Sequence, residues 1–281
     1  MSTPIIFFGA SRGCSFFAVL HTLHHTSRTC ILLLRKPEVF QETEEFKALD
    51  EKQKKRCVIV SGDAFKKEDV RKVFETAGDN CNTVVFSIGM APKDGAFGMP
   101  KLQFSSGVEM VFPMTDVCER SMGTTLDVAG DIHKATGKKY TFIVVSSMGL
   151  GPEGHKKLAL TLRPIWGMLS VPHKDKEVTE VLLCHAAGIP MPRDFPEARQ
   201  QLSSKLSTMP TGIIDLMLIW PALLVDGKAK LEKIKELPDE KDAYAITRAD
   251  VGGWIGKLVE NEDEEIKKSR WFGRNVVLSA K

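Results

Sequence analysis

No apolar run in the 281-residue sequence approaches the roughly 20 residues a membrane-spanning helix requires, so no membrane partner is expected. The opening Met-Ser-Thr-Pro-Ile-Ile has no basic segment ahead of its apolar stretch, which speaks against a secretory leader and for a cytoplasmic location. Paired cysteines are also lacking. Cys14, Cys30, Cys57, Cys81, Cys118 and Cys184 are scattered without a CxxC pair, which argues against zinc and other metals and against a disulfide framework. Reduced, mostly buried thiols are expected. Charge of one sign is scarce too: a net charge of +3 is too small for a nucleic-acid surface. Tyrosine is rarer still, with only Tyr140 and Tyr244.

What is present is an ordinary globular balance, 43% hydrophobic and 27% charged, with neither repeats nor low-complexity tracts. Short apolar runs at Ile5–Gly9, Cys30–Leu34, Cys57–Val60, Thr83–Phe86, Tyr140–Val145, Ile213–Ile219 and Val276–Leu278 alternate with helical patterns. Fully apolar strands separated by helices are what a parallel sheet covered on both faces demands. The expected fold is therefore α/β, a doubly wound parallel-sheet Rossmann fold with a small C-terminal, substrate-side portion. One helix is expected over Asp63–Glu75, capped by Asp63, with Val70, Val73 and Phe74 inward and Lys66, Lys67 and Glu68 in water. Lys47–Arg56 reads as a solvated helix end. Residues 1–281 are read as a single domain, with Gly188–Pro210 an insertion in which four prolines interrupt any regular element.

The first turn, "FFGASRGCSF", points to phosphate. After the first strand, Gly9 permits a tight turn, Gly13 lets backbone approach a pyrophosphate, and Ser15 stands where a third small residue packs helix on strand. Ser11, Arg12 and Cys14 complete that turn, and a helix over Ser15–Leu23 offers its N-terminal amides to an anion. The second strand ends in Arg35 and Lys36, where an NAD site would carry an acid. Together with Arg12 these cations suit a 2′-phosphate, favouring NADP(H). Asp63 and Ala64 after the third strand would border the adenine. Ser87, Ile88 and Gly89 after the fourth would let backbone pass close to the cofactor.

In order, "GASRGCS", "GDA", "FSIG", "FIVVSSMGLG", "HKDKEVTEVLLCHAAG", "MLIWPALLVDG" and "ITRADVGGWIGKLVE" resemble the short-chain dehydrogenase/reductase superfamily, and more closely its atypical, NmrA-like branch. The resemblance implies a catalytic serine at Ser147 with Ser146 beside it, and Lys176 holding the nicotinamide ribose. Pro221 and Leu223 fall where the cofactor passes the sixth strand. The superfamily's acid, a tyrosine four residues before the lysine, is replaced by Pro172. The arginine that commonly precedes the later proline in the related branch is replaced by Trp220. His173 and His155 are then the candidate proton donors by ordinary pKa.

The resulting expectation is an NADP(H)-dependent reductase acting on a carbonyl, imine or activated alkene of a small, apolar substrate. The alternatives are a non-catalytic NADP(H) sensor of a protein partner and a non-redox isomerase or cyclase. Met90, Met99, Met148, Met168 and Met191 are placed at the site's edge, and Ala91–Pro100 and Gly188–Pro210 are read as a lid. Cys14 reads as packing beneath the pyrophosphate, and His21, His24 and His25 as exposed helix histidines.

Overall fold

The computed structural model describes residues 3–91, 102–103, 109–261 and 263–280. Met99 and all but the first residue of the Ala91–Pro100 loop lie outside them.

The first half alternates β1 (Ile5–Phe8), α1 (Cys14–His25), β2 (Cys30–Leu34), three short helices α2 (Pro37–Gln41), α3 (Glu44–Lys47) and α4 (Glu51–Lys55), and β3 (Cys57–Ser61). Then come α5 (Lys67–Ala77), β4 (Thr83–Phe86), the short pair β5 (Leu102–Gln103) and β6 (Glu109–Met110), α6 (Val117–Thr136) and β7 (Tyr140–Val145). Helices α7 (Gly151–Lys157), α8 (Arg163–Met168), α9 (Ser170–Ala187) and α10 (Pro196–Leu206) lead to β8 (Ile214–Pro221). There follow β9 (Leu223–Val225), β10 (Ile234–Leu237), β11 (Ala245–Thr247), α11 (Arg248–Glu260), α12 (Asp263–Lys267) and β12 (Asn275–Ala280).

Eight strands form one sheet in the order β10-β12-β8-β7-β4-β1-β2-β3, parallel throughout except for β10, which runs antiparallel to β12 at the edge. Strands β1, β4 and β7 are buried along their whole length, as strands with helices on both faces must be. Phe7, Phe8, Phe86 and Phe142 fill the core between sheet and helices. The doubly wound α/β expectation holds. Strands β9 and β11 pair beyond the end of β8, in a ladder separate from the main sheet.

The departures have local causes. Gly9 leaves β1 because its φ of 77° is a turn conformation. The fifth helix starts at Lys67, not Asp63. The Asp63 carboxylate accepts from Phe65 N in a turn of its own, so it caps nothing, while Asp69 reaches back to Asp63 N. The insertion is not irregular: Pro196 stands in the first turn of α10, where a missing N–H costs nothing, and Phe195, Ala198 and Leu202 bury against the body. Arg56 is not solvated either, since its guanidinium donates to Leu23 O, Thr26 O and Arg28 O behind α1. At the strands' N-terminal ends, the buried Arg28–Asp263 pair at 2.7 Å is braced by Thr83 Oγ1 and Asn82 Nδ2.

Candidate functional site

Register gathers the expected residues along one sheet edge. Phe8 pairs with Leu33 and Phe86, Phe86 with Val144, Val145 with Ile219, and Leu34 with Ser61. Gly9, Arg35, Gly62, Ser87 and Ser146, which follow these strands, and Trp220 at the end of β8 therefore lie side by side at the carboxyl ends of the strands, with Asp63 one residue further on.

The opening turn is built for close approach. A Cβ on Gly9 would lie 2.7 Å from Ile88 N and from Ser87 C, so only glycine lets the ends of β1 and β4 meet. Gly13, with φ 75°, faces open space and is the N-cap of α1; having no side chain, it caps none of the first-turn amides itself. Ser15, at the third position of the motif, is fully buried, and its N–H donates to Ser87 Oγ at 3.2 Å while Ser87 Oγ donates to Ser15 Oγ at 2.7 Å. A serine there does what glycine does sterically and adds two bonds that tie α1 to the end of β4. Cys14 is buried beneath the turn, and desolvation pushes its thiol up to about 12, so it is protonated at neutral pH.

From the other side, α11 lies directly on this turn. A Cβ on Gly252 would meet Phe17 Cβ at 2.4 Å and Cys14 O at 2.6 Å. His21 packs beneath Gly256 and bonds Glu260 at 2.5 Å, so it is not the exposed histidine the sequence suggested; His24 and His25 are exposed. No metal-ligand cluster occurs among the described residues.

Arg12, Arg35 and Lys36 are exposed, and none makes an ion pair among the described residues. Ser11 and Asp63 are half-buried, Ala64 is buried, Ile88 packs against the core, and Gly89 is exposed with open space where a Cβ would stand.

Lys176 reaches from α9 to the ends of β4 and β7, donating to Ile88 O at 3.2 Å and Val145 O at 2.8 Å. Its neighbour Asp175 is buried and accepts from Cys118 N at 2.7 Å and Glu119 N at 2.8 Å, capping α6 from outside. Ser147 Oγ donates to Met148 O at 3.0 Å. Pro221 is buried, its carbonyl accepting from Met148 N, and Leu223 is half-buried. Met148 is wholly buried, whereas Met90, Met168 and Met191 keep partial exposure.

His173 departs from its expected ordinary titration. Burial, then the charge of Arg193, push its pKa down to about 4, leaving a neutral imidazole at pH 7, 5.9 Å from the Trp166 ring. Of the tyrosines, Tyr140 is buried at the far end of β7 and Tyr244 is 53% exposed beside β9.

Three residues unmarked in the sequence reading complete the site. Arg193, from the insertion, stacks over Trp220 with its guanidinium carbon 3.3 Å from the ring centroid and pairs with Glu240, both side chains buried. Glu240 also accepts from Gly149 N at 2.7 Å. Glu180 accepts from Ser146 Oγ and, at 2.8 Å, from Trp220 Nε1. Glu180 was discoverable, because it follows Lys176 by one helical turn on the same face; Arg193 carried no signal beyond its charge.

No family model matches the chain, and no curated sequence matches it. Solved structures do. ChuY, an anaerobillin reductase from Escherichia coli O157:H7, is 18% identical with a TM-score of 0.57, covering 99% of this chain and 97% of that one. An alcohol dehydrogenase from Thermococcus sibiricus complexed with 5-hydroxy-NADP is 16% identical, TM-score 0.55, covering 100% and 97%. A wide-type short-chain dehydrogenase/reductase from Veillonella parvula in complex with NADP is 11% identical, TM-score 0.53, covering 99% and 95%. These likenesses establish the Rossmann-like fold.

Proposed function

We propose that the protein is an NADP(H)-dependent reductase of a carbonyl, imine or activated alkene in a small apolar molecule. The observation that carries the reading is the trio Arg12, Arg35 and Lys36, exposed and without an ion pair among the described residues, around a glycine turn whose N-cap glycine adds no side chain at the helix N-terminus. The residues fit the dinucleotide: Gly9, Ser11, Gly13 and Cys14 around the pyrophosphate, Asp63 and Ala64 at the adenine, and Ser87, Ile88 and Gly89 along its length. Ser146, Pro221 and Leu223 border its far end. Solved relatives of the same fold hold NADP or a derivative of it.

When bound, a reduced nicotinamide supplies a hydride. The chain's own residues do the rest: Lys176 holds the ribose, fixed against two strand-end carbonyls, and Ser147 polarises the substrate's heteroatom by turning its hydroxyl away from Met148 O. His173, neutral, serves as an acceptor within the site rather than as a cationic acid. The insertion closes the substrate side through Arg193.

A second reading, a non-catalytic NADP(H) sensor of a protein partner, is favoured by Pro172 in the tyrosine's place. Calorimetric titration with NADPH, NADP⁺, NADH and NAD⁺ tests both. The phosphorylated pair is expected to bind at least about tenfold tighter, roughly 1.4 kcal/mol, with the preference lost in Arg35→Ala. Binding of none of the four would overturn both readings. Tight NADPH binding with no oxidation of it across a panel of carbonyls, imines and enones would favour the sensor.

A further inference from the structure

The missing tyrosine leaves the site without an obvious proton. We propose that Glu180 is a proton store, held as the neutral acid in the resting protein, and that Ser146 passes its proton to the substrate's heteroatom. This role rests on the reductase reading above.

The geometry is one-sided. Glu180 is 1% exposed, and both of its hydrogen-bond partners, Ser146 Oγ and Trp220 Nε1, fall on Oε1. Oε2 is buried with no partner among the described residues. An ionised carboxylate would strand half its charge there, unsolvated, whereas the carbonyl oxygen of a neutral acid tolerates the same position far better. Among the described residues no cation neutralises it by contact. Arg193 is committed to Glu240 and to the face of Trp220, and Lys176 to Val145 O and Ile88 O.

Among the described residues, the charged and titratable groups facing Glu180 are Arg193 from the insertion and Lys176 and Cys184 from its own helix. The two cations favour the carboxylate and burial opposes it; burial prevails and the pKa rises. Cys184, itself pushed up to about 12 by burial, adds no charge at neutral pH.

In the neutral acid, Oε1–H donates to Ser146 Oγ, which frees the serine's own proton to point into the site. Ser146, on the strand-end side of this pair, is 6% exposed against 1% for Glu180. During reduction the substrate carbon takes a hydrogen with its electron pair from the reduced nicotinamide dinucleotide, which is thereby oxidised by two electrons. The substrate's heteroatom takes the Ser146 proton, Ser146 Oγ takes the Oε1 proton, and Glu180 is left as a carboxylate. Water reprotonates it after product departs. Glu180 never touches substrate, so it is a positioning and proton-holding residue rather than a catalytic one.

The test separates the store from the reductase reading. Difference infrared spectra of wild type minus Glu180→Gln, without ligand, are expected to show a protonated-carboxyl C=O band at pH 7 that vanishes only in alkali. A carboxylate band alone at pH 7 would overturn the proposal whatever the protein binds. Calorimetry with NADPH reads the reductase assignment independently, and Glu180→Gln is expected to bind within about threefold of wild type. On a substrate found by NADPH oxidation, Glu180→Gln and Ser146→Ala are each expected to lower kcat about 100-fold with KM nearly unchanged. Glu180→Gln should also flatten the alkaline limb of the pH profile, which a structural role would not do. Wild-type kcat and pH profile in Glu180→Gln would overturn the relay.

Discussion

Arg193 and Trp220, 27 residues apart, lie face to face, the guanidinium carbon 3.3 Å from the indole centroid. The same guanidinium reaches Glu240 and the carbonyls of Ser147 and Leu150, so the insertion is bound to the end of β8 through a single buried cation. Arg193→Ala would leave Glu240 buried and unpaired, and is expected to cost about 3–5 kcal/mol in denaturant unfolding. Arg193→Lys should recover only part of it, since an ammonium lacks the planar face. Stability unchanged in Arg193→Ala would show that the insertion is held by its apolar residues alone.

Two neighbouring groups give opposite pH signatures. The folded pKa of Glu180 lies above 4.5, so above that pH the unfolded chain releases a proton that the native state keeps, and stability falls as pH rises through the window. The melting temperature of wild type should thus decline as pH rises above 4.5 relative to Glu180→Gln. His173 is pushed down from 6.5 to about 4, so its contribution is complete above pH 6.5 and is lost as pH falls toward 4. Replacing it by Gln should remove up to about 3 kcal/mol of acid sensitivity in that range. Identical pH–stability curves for wild type and either variant would refute the corresponding assignment.

The seam between α1 and α11 gives a third prediction. Gly252→Ala places a methyl 2.4 Å from Phe17 Cβ and 2.6 Å from Cys14 O, and neither helix can yield without moving the other. A loss of about 1–3 kcal/mol is expected, accompanied by weaker dinucleotide binding because Cys14 belongs to the first turn. Gly167, in α8, has open space where its Cβ would stand, so Gly167→Ala should be neutral or stabilising by up to about 1 kcal/mol. Equal melting temperatures for the two variants would contradict the close approach.

The sheet's main strands were legible because complete burial on two faces forces uninterrupted apolar runs, and Ile5-Ile6-Phe7-Phe8 or Tyr140–Val145 admit little else. The glycine turn was legible for a related reason: conformation and close contact permit few residue types at Gly9 and Gly13. Edge strand β10, "IKEL", was not: Lys235 faces water, and Glu236 on the opposite face accepts from Trp254, Arg270 and Trp271, so no apolar run forms. Helix α10 was hidden by prolines that read as breakers, although one of them begins it. Arg193 and Glu240 stayed invisible because partners 47 residues apart leave no local periodicity, whereas Glu180 could have been found from its place one turn after Lys176. Ser15 was legible as small, but not as one half of a bond to Ser87.

Gly252 brings backbone against backbone at Cys14, while Arg12 and Arg35 stand free in solvent. For an anionic ligand these two features divide the kinetics of capture. Free surface cations act at a distance and set the rate of arrival, which salt screens within about 10 Å at 0.1 M. A turn fitted without side-chain slack acts only on contact and sets the rate of departure, which salt scarcely touches. Ionic strength should therefore slow association while leaving residence time nearly constant.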